Sequence, residues 1–236
     1  MTLTPPKKTQ FEVVPAGNHV ARLYEIIHIG TILTVGQYGE KMQDKIRLTF
    51  ELCNEKKEFK AGEGEKPFSI SREFTYSFHS KGLLRPFVDG MTGTKMRDDE
   101  FPDLEALLGE ACLLNVVHDT KGDATYANIQ NASPLARGMD APPLFNKTRA
   151  LDINSIPFDE LDTLPEFIQK KMKSSEEYAG RLQHSANMGQ VAEVDDVREN
   201  SVTVPGKPVK PRILGGPTEK KEPPAEEINP DDIPFS

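Results

Sequence analysis

The chain has 236 residues, of which 36% are hydrophobic and 28% charged, and a formal net charge of −8. That length allows one sizeable domain plus an extension, or two small domains, while a mean hydropathy of −0.52 leaves part of the chain unable to pack and therefore expected to be disordered. The acidic balance argues against a uniformly basic polyanion binder. No segment approaches the roughly 18 apolar residues of a membrane span. The polar start "MTLTPPKKTQ" is no signal peptide, so a soluble, cytoplasmic protein is expected.

The first half reads as strands. Residues 18–29, "NHVARLYEIIHI", are rich in Val, Ile and Leu with loose alternation. "GTILTVGQYGEKMQ" holds Gly30, Gly36 and Gly39 and reads as a long, mobile turn with Tyr38 and Lys41 near its tip. In "DKIRLTFELCN" (44–54), Ile46, Leu48, Phe50 and Leu52 share one face and Lys45, Arg47, Thr49 and Glu51 the other, as in a half-buried strand. "EKKEFKAGEGEKP" (55–67) is charged and Gly-rich, hence an exposed loop. "FSISREFTYSF" (68–78) alternates again, with Phe68, Ile70, Arg72, Phe74, Tyr76 and Phe78 on one face.

"SKGLLRPFVDG" (80–90) reads as a short helix capped by Ser80 and interrupted by Pro86, and "FPDLEALLG" (101–109) as a second one stopped by Gly109. "EACLLNVVHD" and "ATYANIQNASPL" are strands joined by the hairpin residues "TKGD" (120–123). Five principal strands with short helices before the last hairpin predict a mainly β, OB-like Greek-key barrel over residues 1–135. The competing Ig-like sandwich lacks its Cys…Trp…Cys spacing in a chain without tryptophan.

Beyond Leu135 the pattern becomes loop-like with scattered apolar anchors. "TLPEFIQKKMKSSEEY" (163–178) then reads as an amphipathic helix in an extension spanning 136–178. Thr163 and Glu166 have capping-box spacing, and Leu164, Phe167, Ile168 and Met172 form a stripe beside Lys170, Lys171 and Lys173. Packing of that stripe on the barrel is the commoner fate; self-association or delivery of the lysines to DNA is the alternative. Residues 179–236 are expected to be a disordered, Pro-rich acidic tail: 8 of the 19 prolines lie in 205–236, and from Glu222 onward there are five acids and no base.

Enzyme signals are weak. The five histidines show no metal-binding spacing, and no nucleophile elbow or phosphate loop appears. Cys53 and Cys112 sit in apolar patterns without a Cys-x-x-Cys pair, so buried thiols are expected rather than a zinc or redox site. The Asp pairs at 98–99, 195–196 and 231–232 read as solvated surface, and a non-enzymatic protein without cofactor or metal is expected.

Binders of single-stranded nucleic acid interleave cations with flat rings on which bases stack. Arg22 and Tyr24, Tyr38 and Lys41, Lys45 and Arg47, and Arg72, Phe74, Tyr76 and Lys81 supply that mixture along the first three strands and their connections. Each aromatic taken singly fits the barrel core better. Arg72 resists that explanation, because an unpaired guanidinium inside an apolar row is costly.

The ending "DDIPF", Asp231 to Phe235, is similar to the C-terminal tip of bacterial single-stranded DNA-binding proteins. "ISREFTYSFHSKGLLRPFVDGMTG" and "LEALLGEACLLNVVHDTKGDATYANIQNASPL" resemble the phage-encoded OB-type members of that class, over roughly residues 18–135. The resemblance implies sequence-independent binding of single-stranded DNA. It also implies docking of Asp231, Asp232, Ile233, Pro234 and Phe235 on replication or recombination proteins, with the carboxylates on a basic rim and the ring in an apolar pocket. In the family the phenylalanine is terminal, whereas Ser236 follows it here and displaces the terminal carboxylate by one residue. The alternative is a protein-interaction adaptor of a phage replication module that binds no DNA; a metal-dependent nuclease ranks last.

Overall fold

The computed structural model describes residues 13–36, 39–97, 102–122 and 124–198. The chain divides into two units, Met1–Ala192 and Glu193–Ser236, and all the strands belong to the first. The fold is mainly β. Six strands, β1 (Gly17–Gly36), β2 (Gly39–Lys57), β3 (Lys66–Thr75), β4 (Ala111–Lys121), β5 (Ala124–Pro134) and β6 (Arg149–Asp152), form one sheet. Its order is β3-β2-β1-β4-β5, antiparallel throughout, with β6 added in parallel to β1.

The central strand β1 serves two neighbours along one edge: residues 17–22 pair with β4, and 25–28 with β6. Two irregularities in its pairing with β2, at Leu23/Glu25 and His28/Gly30, reset the side-chain alternation. Ala21, Leu23 and Ile26 therefore enter a main core with Ile46, Leu48 and Phe50 of β2, while Ile27, Ile29 and Ile32 enter a second core. Burial on both faces is the reason "EIIHIGTI" is nearly continuous in apolar residues.

Helix α1 (Leu84–Thr92) lays Leu84, Phe87, Val88 and Met91 on the main core. It begins after Leu83 rather than at the expected Ser80 cap, which puts Pro86 in the first turn, where its missing N–H has no helical partner to lose. Gly90 lets the helix touch β5, because a Cβ there would stand 2.5 Å from the Ala132 carbonyl oxygen. The helix expected over 101–109 is a single 3₁₀ turn, Glu105–Leu107; Gly109, at φ 90°, then turns the chain so that its N–H bonds the Leu23 carbonyl at 2.7 Å.

The second core is built by the extension. Leu151 and Ile153, then helix α2 (Phe158–Leu161) with Leu161, and helix α3 (Glu166–Lys173) with Ile168 and Met172 cover the reverse face of β1. The helix expected over 163–178 breaks at Ser174 and Ser175, and helix α4 (Glu176–Arg198) continues into the segment expected to be disordered. No capping box forms: Pro165 is the N-cap of α3, and the Thr163 hydroxyl donates backward to the Glu160 carbonyl at 2.7 Å.

Two further expectations are corrected. The supposed mobile turn at 30–43 is a β-ribbon in which β1 and β2 pair out to Gly36 and Gly39. Thr31, Ile32, Thr34 and Val35 favour a strand, and the glycines mark a bulge and a turn instead of a loop. Nor is the sheet closed: among the described residues no ladder joins β3 to β5.

Candidate functional site

Of the ten cations and rings singled out in the sequence, the nine that are described do not share one face. Arg22 is consumed by architecture: Nε donates to the Pro142 carbonyl at 2.7 Å, Nη1 to Gly109 at 2.6 Å and Nη2 to Ala141 at 3.0 Å. It ties the segment after β5 to β1. Tyr24, at the first bulge, donates to the Ser69 hydroxyl at 3.3 Å, and burial pushes its phenol up.

Arg72 and Phe74 point inward. Phe74 is 2% exposed and is core, so it offers no stacking surface. The Arg72 guanidinium lies 4.8 Å from the Phe74 ring centre and donates through Nη1 to the carbonyls of Ile129 (3.0 Å) and Gln130 (2.6 Å) on β5. The awkward cation of the apolar row thus bridges β3 to β5 where no ladder forms. Partial desolvation lowers its pKa, and the two carbonyls accept hydrogen bonds that the guanidinium would otherwise make to water.

Lys45 and Arg47 lie on the outer face of β2. Arg47 donates to Glu73 at 3.1 Å and to the Ser71 hydroxyl, and its guanidinium carbon sits 5.0 Å from the centre of the Phe167 ring. Glu73 also receives Lys171 from α3 at 2.6 and 2.7 Å. Lys45 donates to the Thr75 hydroxyl at 3.2 Å; burial depresses its ammonium, Glu73 opposes that, and Lys171 adds to it. The expected packing of the 163–178 segment is therefore seen, with one exception: Leu164, Ile168 and Met172 are buried, whereas Phe167 is 52% exposed above Arg47.

Lys41 is exposed on the ribbon opposite Thr34. Lys81 is exposed in the turn before α1, its backbone N–H reaching His79 Nδ1 at 3.1 Å. Tyr38 lies outside the described residues, as do Asp231, Asp232, Ile233, Pro234 and Phe235.

Tyr76 is 40% exposed at the root of the ribbon, its ring 5.3 Å from that of His28. Both nitrogens of His28 face carboxylates: Nε2 to Asp44 and Nδ1 to Asp152, each at 2.7 Å. Burial works against charge on this imidazole, but the bonds to Asp152 and Asp44 outweigh it and the pKa is raised. Burial likewise disfavours the Asp152 carboxylate, and the Asn154 and His28 hydrogen bonds reverse that, lowering its pKa. His28 so latches β1 to β2 and β6.

Sequence reasoning missed this latch and the Glu73 bridge, because both join residues far apart in the chain. A signal for Phe167 existed: Leu164, Ile168 and Met172 recur every four residues, and Phe167 falls off that line. Among the described residues no group of three or more His, Cys, Asp or Glu gathers to hold a metal ion, and no helix is long and apolar enough to cross a membrane. No protein-family model matches the chain, and no curated protein matches it.

Proposed function

We propose that this protein binds single-stranded DNA without catalysis and with little sequence preference, and recruits replication or recombination partners through its acidic C-terminal tip. The observation that carries the reading is the strand order β3-β2-β1-β4-β5 with Arg72 reaching from β3 to β5. That order is compatible with a partly open OB barrel, a fold whose β2–β3 face and first connection bind oligonucleotides. In this chain that face carries Lys45 and Arg47, and that connection is the ribbon bearing Lys41. The C-terminal stretch, with five acids and no base from Glu222 onward, concentrates negative charge in a part of the sequence separate from the strands, so an acidic protein can still meet a polyanion. Its tether raises the local concentration of whatever docks on the tip.

The test is a titration of fluorescent oligo-dT with the full chain and with a version ending at Ala225, over a salt series. Binding that favours oligo-dT over duplex and weakens steeply with salt is expected. Tighter binding by the shortened chain supports a tail that competes with DNA. Absence of preference for the single strand at low salt refutes the reading.

A second reading, a protein-interaction adaptor that does not touch DNA, is favoured by the engagement of Arg22, Arg47 and Arg72 in internal hydrogen bonds. It predicts that Lys41→Glu with Lys45→Glu leaves function intact while removal of 226–236 abolishes it.

A further inference from the structure

An exposed phenylalanine on a helix that already has a complete apolar face needs a reason. Leu164, Ile168 and Met172 anchor α3 in the second core without Phe167. Phe167 is nevertheless held: the Arg47 guanidinium sits 5.0 Å from its ring centre, and Arg47 is itself fixed by Glu73 and Ser71. A flat ring supported on a cation and half open to solvent is a preorganised stacking surface.

The charge around it fits a polyanion. Lys45, Arg47, Lys170 and Lys171 outnumber Glu73 and Glu166 here, in a chain whose overall charge is −8. Lys45 and Lys171 approach from different elements beside Glu73, which accepts from Lys171 at 2.6 and 2.7 Å and favours the charge of Lys45, while Lys171 disfavours it. Stacking requires an open base face, which a single strand presents and a duplex hides.

We infer that α3 is part of the nucleic-acid interface, with Phe167 as a base-stacking platform on Arg47 and with Lys45 and Lys171 holding the adjoining phosphates. The inference rests on the single-stranded DNA reading and extends its surface from the sheet to the extension.

The chain has no tryptophan, so Phe167→Trp places a sole indole at the site. Oligo-dT is expected to quench its emission. In anisotropy titrations with labelled oligo-dT, Phe167→Ala should weaken binding roughly 5- to 150-fold, the loss of one base–aromatic stack, with an unchanged salt slope. Lys171→Gln should instead lower the salt slope by about one. Phe167→Tyr should bind as the parent does. The melting temperature of Phe167→Ala should stay close to that of the parent, because the ring is half exposed.

If the parent chain binds oligo-dT but Phe167→Ala binds equally well, or the indole is not quenched, the inference is overturned and the DNA reading survives. If Phe167→Ala loses a protein partner while keeping oligo-dT affinity, the ring serves a protein pocket and the inference is likewise overturned. If the parent chain fails to bind oligo-dT, the functional reading falls and the inference falls with it.

Discussion

The two faces of β1 are buried by different means. On one face, Ala21, Leu23 and Ile26 meet strands β2 to β5 and helix α1, whose apolar residues alternate or recur at helical spacing. On the other, Ile27, Ile29 and Ile32 meet Leu151, Ile153, Ile156 and Leu161, from a stretch with little periodicity, and the four-residue line of Leu164, Ile168 and Met172. Polar staples supply what pattern does not in the second region. Arg149 Nε reaches the buried Glu25 at 2.6 Å, His28 reaches Asp152, Glu177 accepts both the N–H (2.7 Å) and the hydroxyl (2.8 Å) of Thr31, and Arg181 donates to the carbonyls of Ile153 (2.6 Å) and Ile156 (2.7 Å). The extension is therefore structural, and a boundary at Leu135 would cut through one fold.

The harshest test of that contrast is truncation. A chain ending at Leu135 uncovers Ile27, Ile29 and Ile32, and is expected to aggregate or to lose cooperative unfolding in calorimetry. A soluble fragment with a sharp melting transition would show the second core to be dispensable. Next come paired deletions, one in each core. Phe50→Ala should cost about 3–5 kcal/mol and Met172→Ala about 2–5 kcal/mol in urea denaturation. Coincident single transitions in both variants would join the two regions into one cooperative unit; a separate early transition in Met172→Ala would divide them.

Arg72→Met probes the seam of the main region. It removes both bonds to β5 and should cost about 1–3 kcal/mol, with faster amide exchange in β5. Gly30→Ala probes the junction of the second. At φ 94°, with a Cβ 2.5 Å from Glu177 Oε2, the variant forces Glu177 off Thr31 and should cost about 1–3 kcal/mol.

The smallest expected effect is pH dependence at the latch. His28 binds its proton more tightly folded than unfolded. Its contribution is therefore fully present below the ordinary value of 6.5 and fades as pH rises through the raised folded value. Asp152 works in the opposite sense, contributing above its ordinary 3.8 and losing that as pH falls through the lowered folded value. The groups facing the ring are Asp44 on β2, Asp152 on β6 and Tyr76 after β3, with Glu177 of α4 close enough to feel its charge. The stability gap between the parent chain and His28→Gln should narrow as pH rises from 6 to 9, measured by urea denaturation; a gap independent of pH would remove the latch.

Much of the candidate site was hidden from the sequence for the same reason as the second core. Alternation places Lys45 and Arg47 on one side of β2, and this is how they stand. It says nothing of Glu73, Lys171 and Phe167 meeting them there. Alternation likewise puts Arg72 and Phe74 on one face without saying what lies opposite: Phe74 fills the core, as expected of each aromatic taken singly, and Arg72 finds the carbonyls of a strand more than fifty residues later.

What this sequence determined by itself was local. The period-2 runs specify β3 and the inner part of β2, the residues "TKGD" specify the turn between β4 and β5, and the four-residue recurrence of Leu164, Ile168 and Met172 specifies the buried side of the α3 segment. These follow from backbone geometry, in which successive side chains have set directions. Tertiary structure decided the rest: the second function of β1 as the wall of another core, the bridging of β3 and β5 by one guanidinium, and the seating of Phe167 on Arg47. Each of these joins residues distant in the chain, and such contacts depend on which surfaces remain to be covered once the strands have paired.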